Sequence, residues 1–431
     1  MNILLFTNTY LPHVGGVARS VHTLEQACRR LGHEVRVIAP EFEDAESSEN
    51  VLRVPAIQNF NGSDFSVRIP VPRVIGEFIE DFAPDVVHSH HPFLLGDAAL
   101  RVARRLHRPI VFTHHTLYER YTHYVPFDSP AMKRIAIQLA TEYCNMCDSV
   151  IAPSRSVADL LDERGVEVPV RAIPTGIDVE AFASGDGPRL RKKLGIPENA
   201  TVIGLVGRVA REKNLPFIAE AAARYLKRHP DAAFLLVGDG KALEETLGIL
   251  RRQGVREAQI HAPGRMTGTD LIDAYAALDC FVFASQTETQ GLVLAEAMAA
   301  GTPVVALDGP GVREIMDDGK NGLMLPSGAD PEAFASAVER LTDDAEFAAE
   351  CSRHASETAR DYTVEACTTQ VLDCYEAVIA EKKERAKTEN EFGVWDRFME
   401  SIENEWDLLA AKFAALGATA GRSRATEAKL D

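Results

Sequence analysis

Short apolar segments alternate with segments of helical length along most of this chain, and the alternation starts twice. NILLFTN, EVRVIAP and RPIVFTHH are strand-like segments of the first half, and TVIGLVGRV, AAFLLVGDG and TPVVAL follow after residue 195. Apolar strands connected by helices predict parallel sheets that are covered on both faces. We therefore predict an α/β protein with two Rossmann-like, doubly wound parallel-sheet domains facing a cleft, where ligands gather at the carboxyl ends of the strands.

The length of 431 residues also favours two domains over a single core. We place an N-terminal domain at residues 1–173 and a C-terminal domain at 174–363, followed by a helix at 364–383. Residues 384–431 are predicted to form a charged linker, an amphipathic helix and a disordered end. That last helix could pack on its own protein, on a second copy of the chain as a homo-oligomer, or on a membrane surface, and the sequence leaves the three open.

Composition excludes several classes of protein. The net charge of −18 lacks the sustained positive field of a nucleic-acid-binding protein, although local basic patches can still face anionic lipid. No apolar run approaches the roughly 20 residues that span a bilayer, and MNILLFTNTYLP indicates a first strand, not a signal peptide. Cys144 and Cys147 form a C-x-x-C without a second pair at zinc spacing, which favours buried, reduced thiols. We expect a cytoplasmic protein.

Two carboxylates, Glu288 and Glu296, lie eight positions apart in ETQGLVLAEAMAAG, a glycine turn that leads into a helix. Backbone N–H groups at a helix start can bind a diphosphate, and a carboxylate can bind ribose hydroxyls. Arg208 and Lys213 follow an earlier strand, and fixed cations stabilise the charge that develops on a leaving diphosphate. The combination indicates a sugar-nucleotide site. Acidic residues that favour a helix start, and ordinary surface cations, are the alternative interpretation.

Gly15 and Gly16 lie between the first strand and the first helix. Glycine at such a position lets the backbone approach a ligand closely and adopt positive φ. The segment lacks the G-x-G-x-x-G spacing of dinucleotide sites, so a plain tight turn is the alternative interpretation.

Ten of the thirteen histidines precede residue 124. His115 follows a strand and is expected at the cleft edge, where an imidazole can bind a sugar hydroxyl or carry a proton. Its neighbour His114 should point to the other side, because side chains alternate along a strand. His88, His90 and His91 end another strand. We favour polar lining of the cleft over a metal site for these three, since no carboxylate or cysteine completes a ligand set.

The segment from 118 to 134 mixes aromatic and basic side chains. Such a mixture suits an acceptor site at a lipid interface, and the alternative is a partly buried loop and helix that cover the cleft. The candidate residues on this acceptor or membrane side are Tyr118, Arg120, Tyr121, Lys133 and Arg134.

Nearly the whole of residues 1–380 resembles the retaining glycosyltransferases of family four, whose two-Rossmann-domain architecture is called GT-B. The motifs that carry the resemblance are E-x7-E at Glu288 and Glu296, the Arg and Lys pair at Arg208 and Lys213, the glycine loop at Gly15 and Gly16, and the histidine of HHT, His115. One departure is Gln290, where many members carry Phe.

The resemblance implies a role for each matched position. The implied catalytic residues are His115, Arg208, Lys213 and Glu288, with Glu288 against the transferred sugar. The implied donor-binding residues are Gly15, Gly16, Thr289, Gln290, Gly291, Leu292 and Glu296. The resemblance also implies that no divalent metal or other cofactor is required, that the leaving phosphate helps to deprotonate the acceptor, and that the helix at 364–383 crosses back to the N-terminal domain.

ETQGL and HHTLYERYTHYV are similar to the corresponding segments of bacterial diacylglycerol glucosyltransferases. We therefore expect transfer of a hexose, glucose from UDP-glucose, to a hydroxyl of a lipid such as diacylglycerol at the inner face of the membrane. A GDP-mannose-dependent mannosyltransferase acting on a phosphoinositide or a soluble acceptor is the alternative within the class. A sugar-nucleotide epimerase is the alternative from another class.

Overall fold

A computed structural model describes residues 1–388, apart from residues 14, 43–44, 46–47, 58–66, 69–71, 121–129 and 286. Residues 1–378 form one compact unit, and residues 379–431 form a second. The predicted linker beyond Thr388, the amphipathic helix and the disordered end lie outside the described residues. The compact unit contains two parallel sheets, each with its own apolar core.

The first sheet has seven parallel strands, and a two-stranded antiparallel pair accompanies it. Its strands are β1 (Asn2–Phe6), β2 (Glu34–Pro40), β3 (Val51–Val54), β6 (Val86–Ser89), β7 (Ile110–Thr113), β8 (Ser149–Ala152) and β9 (Val170–Ala172), and the pair is β4 (Ala56–Ile57) with β5 (Val67–Arg68). The spatial order is β3-β2-β1-β6-β7-β8-β9. The connecting helices are α1 (Gly16–Arg30), α2 (Pro72–Ile79), α3 (Leu95–Arg105), α4 (Pro130–Asn145) and α5 (Arg155–Glu163).

The second sheet has six parallel strands in the order β12-β11-β10-β13-β14-β15. They are β10 (Val202–Val206), β11 (Ala233–Val237), β12 (Ile260–Gly264), β13 (Cys280–Phe283), β14 (Val304–Leu307) and β15 (Gly322–Leu325). The helices around them are α6 (Val179–Ala183), α7 (Gly187–Leu194), α8 (Leu215–Arg228), α9 (Leu243–Arg252), α10 (Gly268–Ala276), α11 (Leu292–Ala299), α12 (Pro310–Arg313), α13 (Pro331–Asp343) and α14 (Ala345–Ala359).

Both sheets confirm the predicted fold class of two doubly wound, Rossmann-like units. In each sheet the strand order reverses beside the first strand, so that β6 lies next to β1 and β13 lies next to β10. A crevice opens at the carboxyl ends of the strands on either side of such a reversal. The loops that follow β1, β6 and β7 on one sheet, and β10 and β13 on the other, therefore carry the candidate site.

The sequence analysis did not predict three short strands, which are β3, β4 and β5. β3 is an edge strand that pairs with β2, and its sequence VLRV is short and interrupted by a charge. β4 and β5 have two residues each. Such segments have too few alternating positions to produce a pattern, so only their pairing with neighbouring chain defines them.

The last helix, α15 (Val364–Thr388), extends beyond its predicted end at residue 383. Lys, Glu, Arg and Ala dominate its final turns, and these residues favour helix as readily as they favour a solvated linker. Its Tyr375 hydroxyl bonds to Nδ1 of His88 on β6 at 2.6 Å, which returns the chain to the first sheet. Within the described ranges, no helix combines the length and the apolar composition needed to cross a bilayer.

Candidate active site

The wall formed by the second sheet carries paired charges. Lys213 closes a short turn (Arg211–Lys213) after β10, and its ammonium group pairs with the Glu288 carboxylate from the loop after β13. Each of these two side chains is about one-fifth exposed. The Arg208 guanidinium contacts Glu212 at 2.6 Å and is half exposed. The structure thus brings Lys213 and Glu288 together, 75 positions apart in sequence.

A second loop holds the Glu288 loop in place. The Gly311 N–H at the start of α12 donates to the Glu288 carbonyl at 3.0 Å. A Cβ at position 311 would lie 2.8 Å from the Gln290 nitrogen and 2.9 Å from Cβ of Glu288. Gly291, with φ of +78°, then turns the chain into α11. Glycine is needed at 311 for close approach and is favoured at 291 for its backbone angle, so both residues help to set where Glu288 lies.

Glu296 lies buried on α11, and both of its carboxylate oxygens have partners. One oxygen pairs with the Arg19 guanidinium from α1, and the other accepts the Tyr275 hydroxyl from α10. The neighbouring carboxylate raises the pKa of Arg19, while burial raises the pKa of Tyr275. The ion pair of Glu296 with Arg19 thus joins α11, which packs on the second sheet, to α1, which packs on the first.

Arg19 is a candidate functional residue that the sequence analysis missed. A signal was present, because Arg19 occupies the first turn of α1, where the helix dipole disfavours a cation. A cation at such a position needs a compensating anion, and Glu296 supplies it. The sequence contains no indication of which of many acidic residues that partner is.

Thr289 and Gln290 connect the loop after β13 to segments that follow strands of the first sheet. The Thr289 hydroxyl donates to the His115 carbonyl at 3.1 Å. The Gln290 side chain accepts from the Thr175 N–H at 2.8 Å and donates to the Thr175 carbonyl at 2.7 Å. The side chain of Gln290 is therefore engaged with Thr175, while the predicted contact of its backbone with the donor stays a prediction. The side-chain amide group binds the segment between β9 and α6.

The wall formed by the first sheet carries neutral imidazoles. His115 follows β7, and its Nε2 lies 2.9 Å from Nδ1 of His90, which follows β6. His88 bonds through its two nitrogens to Tyr375 at 2.6 Å and to Thr113 at 2.7 Å. Burial lowers the pKa of His88 and of His115 to about 3, and lowers that of His90 well below the ordinary value. All three rings are uncharged at neutral pH.

His114 points away from His115, as the strand alternation predicts. It is buried beside the Phe112 and Tyr118 rings, and burial lowers its pKa to about 4. His91 accepts a hydrogen bond from the Asn8 backbone at 3.0 Å. These contacts hold both rings in place within the first sheet's edge. Among the described residues, no group of His, Cys, Asp or Glu is arranged to hold a metal ion.

Tyr118 does not present its hydroxyl to an acceptor or a membrane, which corrects one prediction. Its ring packs edge-on against Phe93 and His114, and its hydroxyl is buried. The apolar surroundings raise its pKa. Lys133 and Arg134 are exposed on α4, Tyr121 lies outside the described residues, and the side chain of Arg120 is likewise outside them.

Gly15 precedes α1 and Gly16 is its first residue, and neither has the positive φ that glycine would allow there. Gly15 has an extended backbone with φ of −163°, which any residue can adopt. A Cβ on Gly16 would meet nothing within 4 Å. Glycine here leaves open space at the start of a helix and is not required by the backbone.

Cys144 and Cys147 are free thiols, as are the other five cysteines, and all seven are buried. Burial raises the pKa of Cys144 to about 12 and that of Cys147 well above the ordinary value. Thiolates are disfavoured at both positions, which supports the structural interpretation of this C-x-x-C pair.

A cavity of about 340 Å³ lies where α1, the segment after β9 and α11 meet. Residues that line it include Arg19, Ser20, Thr175, Asp178, Phe182 and Glu296. The cavity is bordered by Glu296, whose buried carboxylate can accept hydrogen bonds from paired hydroxyls. The site therefore offers carboxylates, cations and neutral imidazoles around one cleft, a set suited to a sugar joined to a diphosphate.

Comparison with known proteins agrees with this geometry. The profile of Glycosyltransferase Family 4 matches residues 14–181, and that of Glycosyl transferases group 1 matches residues 186–358. An α-monoglucosyldiacylglycerol synthase of Acholeplasma laidlawii is 30% identical over 86% of this chain and 97% of its own length. A GDP-mannose-dependent α-mannosyltransferase of Corynebacterium glutamicum is 29% identical over 88% of this chain and 90% of its own.

Among solved structures, a sucrose-phosphate synthase from Thermosynechococcus elongatus superposes with a TM-score of 0.72 at 21% identity, covering 88% of this chain and 99% of that one. The fold and the site define a two-domain glycosyltransferase of the GT-B architecture. The chain belongs to glycosyltransferase family 4. The epimerase alternative finds no support, since both matched profiles describe glycosyltransferases.

Proposed function

We propose that this glycosyltransferase moves a glucosyl group from UDP-glucose to a hydroxyl of a diacylglycerol-type lipid, with retention of the anomeric configuration. The observation that carries the proposal is the Lys213–Glu288 pair at the carboxyl ends of β10 and β13, together with the buried carboxylate of Glu296 on α11. The similarity to α-monoglucosyldiacylglycerol synthases supports the choice of sugar and acceptor.

In this proposal the second sheet binds the donor. Arg208, Lys213 and the backbone from Thr289 to Leu292 bind the diphosphate, and Glu296 binds the ribose hydroxyls. Lys213 would exchange part of its contact with Glu288 for a phosphate oxygen, because a developing dianion attracts the ammonium more strongly than one carboxylate does. These cations take the place that a divalent metal holds in other enzymes, so no metal or other cofactor is required.

The first sheet binds the reacting end of the acceptor. His115 is neutral, so it can donate or accept one hydrogen bond to a sugar or acceptor hydroxyl without adding charge. The leaving phosphate, held by Lys213, can then take the proton of the attacking hydroxyl. Glu288 contacts the transferred sugar from the opposite wall.

Peripheral association with the inner face of a membrane follows from a lipid acceptor. Lys133 and Arg134 are exposed near the start of α4, next to the segment predicted to face the acceptor. Basic side chains near an anionic surface contribute about 1 kcal/mol each to binding.

The test presents UDP-glucose and GDP-mannose, each radiolabelled, to the full chain with diacylglycerol or phosphatidylinositol in anionic vesicles. Labelled glucolipid formed from UDP-glucose and diacylglycerol, with an α linkage by proton NMR, is the expected result. Glu288→Gln is the matched inactive control, because it removes the carboxylate charge and keeps the shape. Absence of glucolipid under every condition would overturn the proposal.

A second candidate is transfer of mannose from GDP-mannose. It is favoured by the similarity to GDP-mannose-dependent α-mannosyltransferases over about as much of the chain. In the same experiment, labelled lipid formed with GDP-mannose and not with UDP-glucose would favour this mannosyltransferase activity.

A further inference from the structure

We infer that His90 is a positioning residue for His115, and that it holds the His115 imidazole in one orientation and one tautomer at the edge of the cleft. The inference rests on the proposed function, in which His115 contacts a sugar or acceptor hydroxyl. Nothing in the sequence motifs singles out His90 from its neighbours His88 and His91.

The geometry between the two rings is that of a direct hydrogen bond. Nδ1 of His90 and Nε2 of His115 are 2.9 Å apart. The ring planes are tilted by only 24°, and the centroids are 5.2 Å apart. The N–H and the lone pair of an imidazole lie in the ring plane, so two nearly coplanar rings that meet edge to edge can form a straight bond. Nδ1 of His115 is then the nitrogen that remains for a ligand.

His90 is itself held firmly. Its side chain is 1% exposed, and its ring lies against the His88 ring with centroids 4.1 Å apart. His88 is fixed at both nitrogens, by Tyr375 from α15 and by Thr113 from β7. A ring that is packed in this way cannot turn without breaking several buried contacts, so it can fix the orientation of its partner.

The remaining nitrogen of His90 has a distinctive environment. Nε2 is buried and has no hydrogen-bond partner among the described residues. His90 lines a cavity of about 40 Å³ that is also bordered by Ser20, Thr23, Thr175 and Thr368.

These constraints select one arrangement of protons. The bond between two neutral rings contains a single proton, which lies on Nδ1 of His90 or on Nε2 of His115. The second choice would put an N–H on the unpartnered, buried Nε2 of His90, and buried N–H groups without an acceptor are rare. The geometry therefore assigns the donor to His90. His115 then bears its proton on Nδ1 and offers a hydrogen-bond donor to the cleft.

Spectroscopy tests the arrangement without any variant. The full chain labelled with ¹⁵N-histidine should show a His115 Nε2 without a proton, coupled through the hydrogen bond to a protonated Nδ1 of His90. Rapid exchange between two His115 tautomers, or a proton on His115 Nε2, would overturn the inference. This readout does not depend on any activity.

Kinetics test whether the arrangement matters. His90→Leu should lower kcat for glucolipid formation by about 10- to 100-fold, the range that applies to hydrogen-bond partners of metal-bound histidines, with UDP affinity unchanged. His90→Asn should restore most of the loss, because its amide nitrogen can occupy the place of Nδ1. Tyr375→Phe, which removes the hydrogen bond to His88 one ring further from His115, should cause a smaller loss than His90→Leu.

The outcomes separate the inference from the proposed function. Parent-like kcat for His90→Leu, or a loss in His90→Asn as large as that in His90→Leu, would overturn the positioning role. A parent-like His115→Ala variant would instead overturn the role of His115 in the proposed function. Thermal unfolding of each variant identifies any that fails to fold, and the labelled parent protein then decides the inference.

Discussion

The two walls of the cleft carry different kinds of polar side chain at the edges of their sheets. The first sheet contributes His88, His90 and His115, which burial keeps neutral. The second sheet contributes charges in pairs, among them Lys213 with Glu288. A neutral imidazole can bind a hydroxyl without a large desolvation cost, whereas a paired charge can be released toward a phosphate. The two sheets therefore differ in the kind of polar group that they bring to the cleft, with neutral rings on the first and paired charges on the second.

The charged wall should be the more sensitive to a single substitution. Lys213→Ala should lower kcat by roughly 10²-fold or more, because it removes a contact to the leaving diphosphate and leaves Glu288 without its cation. Steady-state kinetics of the purified variant measure the effect. Lys320→Ala, at an exposed lysine that pairs with Asp317, is the matched control. Near-normal turnover of Lys213→Ala would remove this lysine from the site.

The second prediction concerns the carboxylate that the two walls share. Glu296→Gln should weaken UDP binding roughly 10- to 100-fold, because hydrogen bonds to a charged group contribute about 1.5–3 kcal/mol. Isothermal titration calorimetry with UDP measures the change. Tyr275→Phe removes one of the contacts that orient this carboxylate and should cause a smaller loss. Unchanged UDP affinity in Glu296→Gln would contradict a ribose-binding role.

The third prediction concerns His88 on the first sheet and the way the free energy of unfolding changes with pH. Folding lowers the pKa of His88 to about 3, so the unfolded chain binds that proton first as the pH falls. Its contribution to stability is present above about pH 6.5 and is lost as the pH falls from there toward the folded value. His88→Gln should therefore reduce the slope of unfolding free energy against pH by about 1.4 kcal/mol per pH unit in that window.

Urea denaturation at a series of pH values measures this slope. His107→Gln, at an exposed histidine of the same unit, provides the control substitution. Equal slopes for the parent and His88→Gln would show that His88 is not buried and neutral in solution.

The smallest effect is expected for the two neutral hydrogen bonds that connect the side chain of Gln290 to the backbone of Thr175. Gln290→Met keeps most of the side-chain volume but can neither accept from the Thr175 N–H nor donate to the Thr175 carbonyl. We expect a loss of about 1–2 kcal/mol in unfolding free energy, measured by urea denaturation. The same change at exposed Gln253 should have no such effect. Unaltered stability of Gln290→Met would mean that these two hydrogen bonds do not persist in solution.

Most of the architecture could be predicted from the sequence, because alternating apolar strands and helices have few compatible folds. Local pattern placed Glu288 before the start of α11 and Lys213 after β10, and the structure agrees with both positions. The edge strand β3 and the helical end of α15 were missed, because short or charged segments carry no distinctive period.

Local periodicity and fixed spacing in the sequence were enough to predict the fold class, the family and the charged residues that follow β10 and β13. Which polar side chains pair with one another became clear from the tertiary structure. It paired Arg19 with Glu296, turned Gln290 toward Thr175, and joined His90 to His115. Each of these contacts joins residues that are distant in sequence and meet only where loops converge. No local pattern encodes which of many polar side chains will share a buried space, because packing and desolvation of the whole fold make that choice.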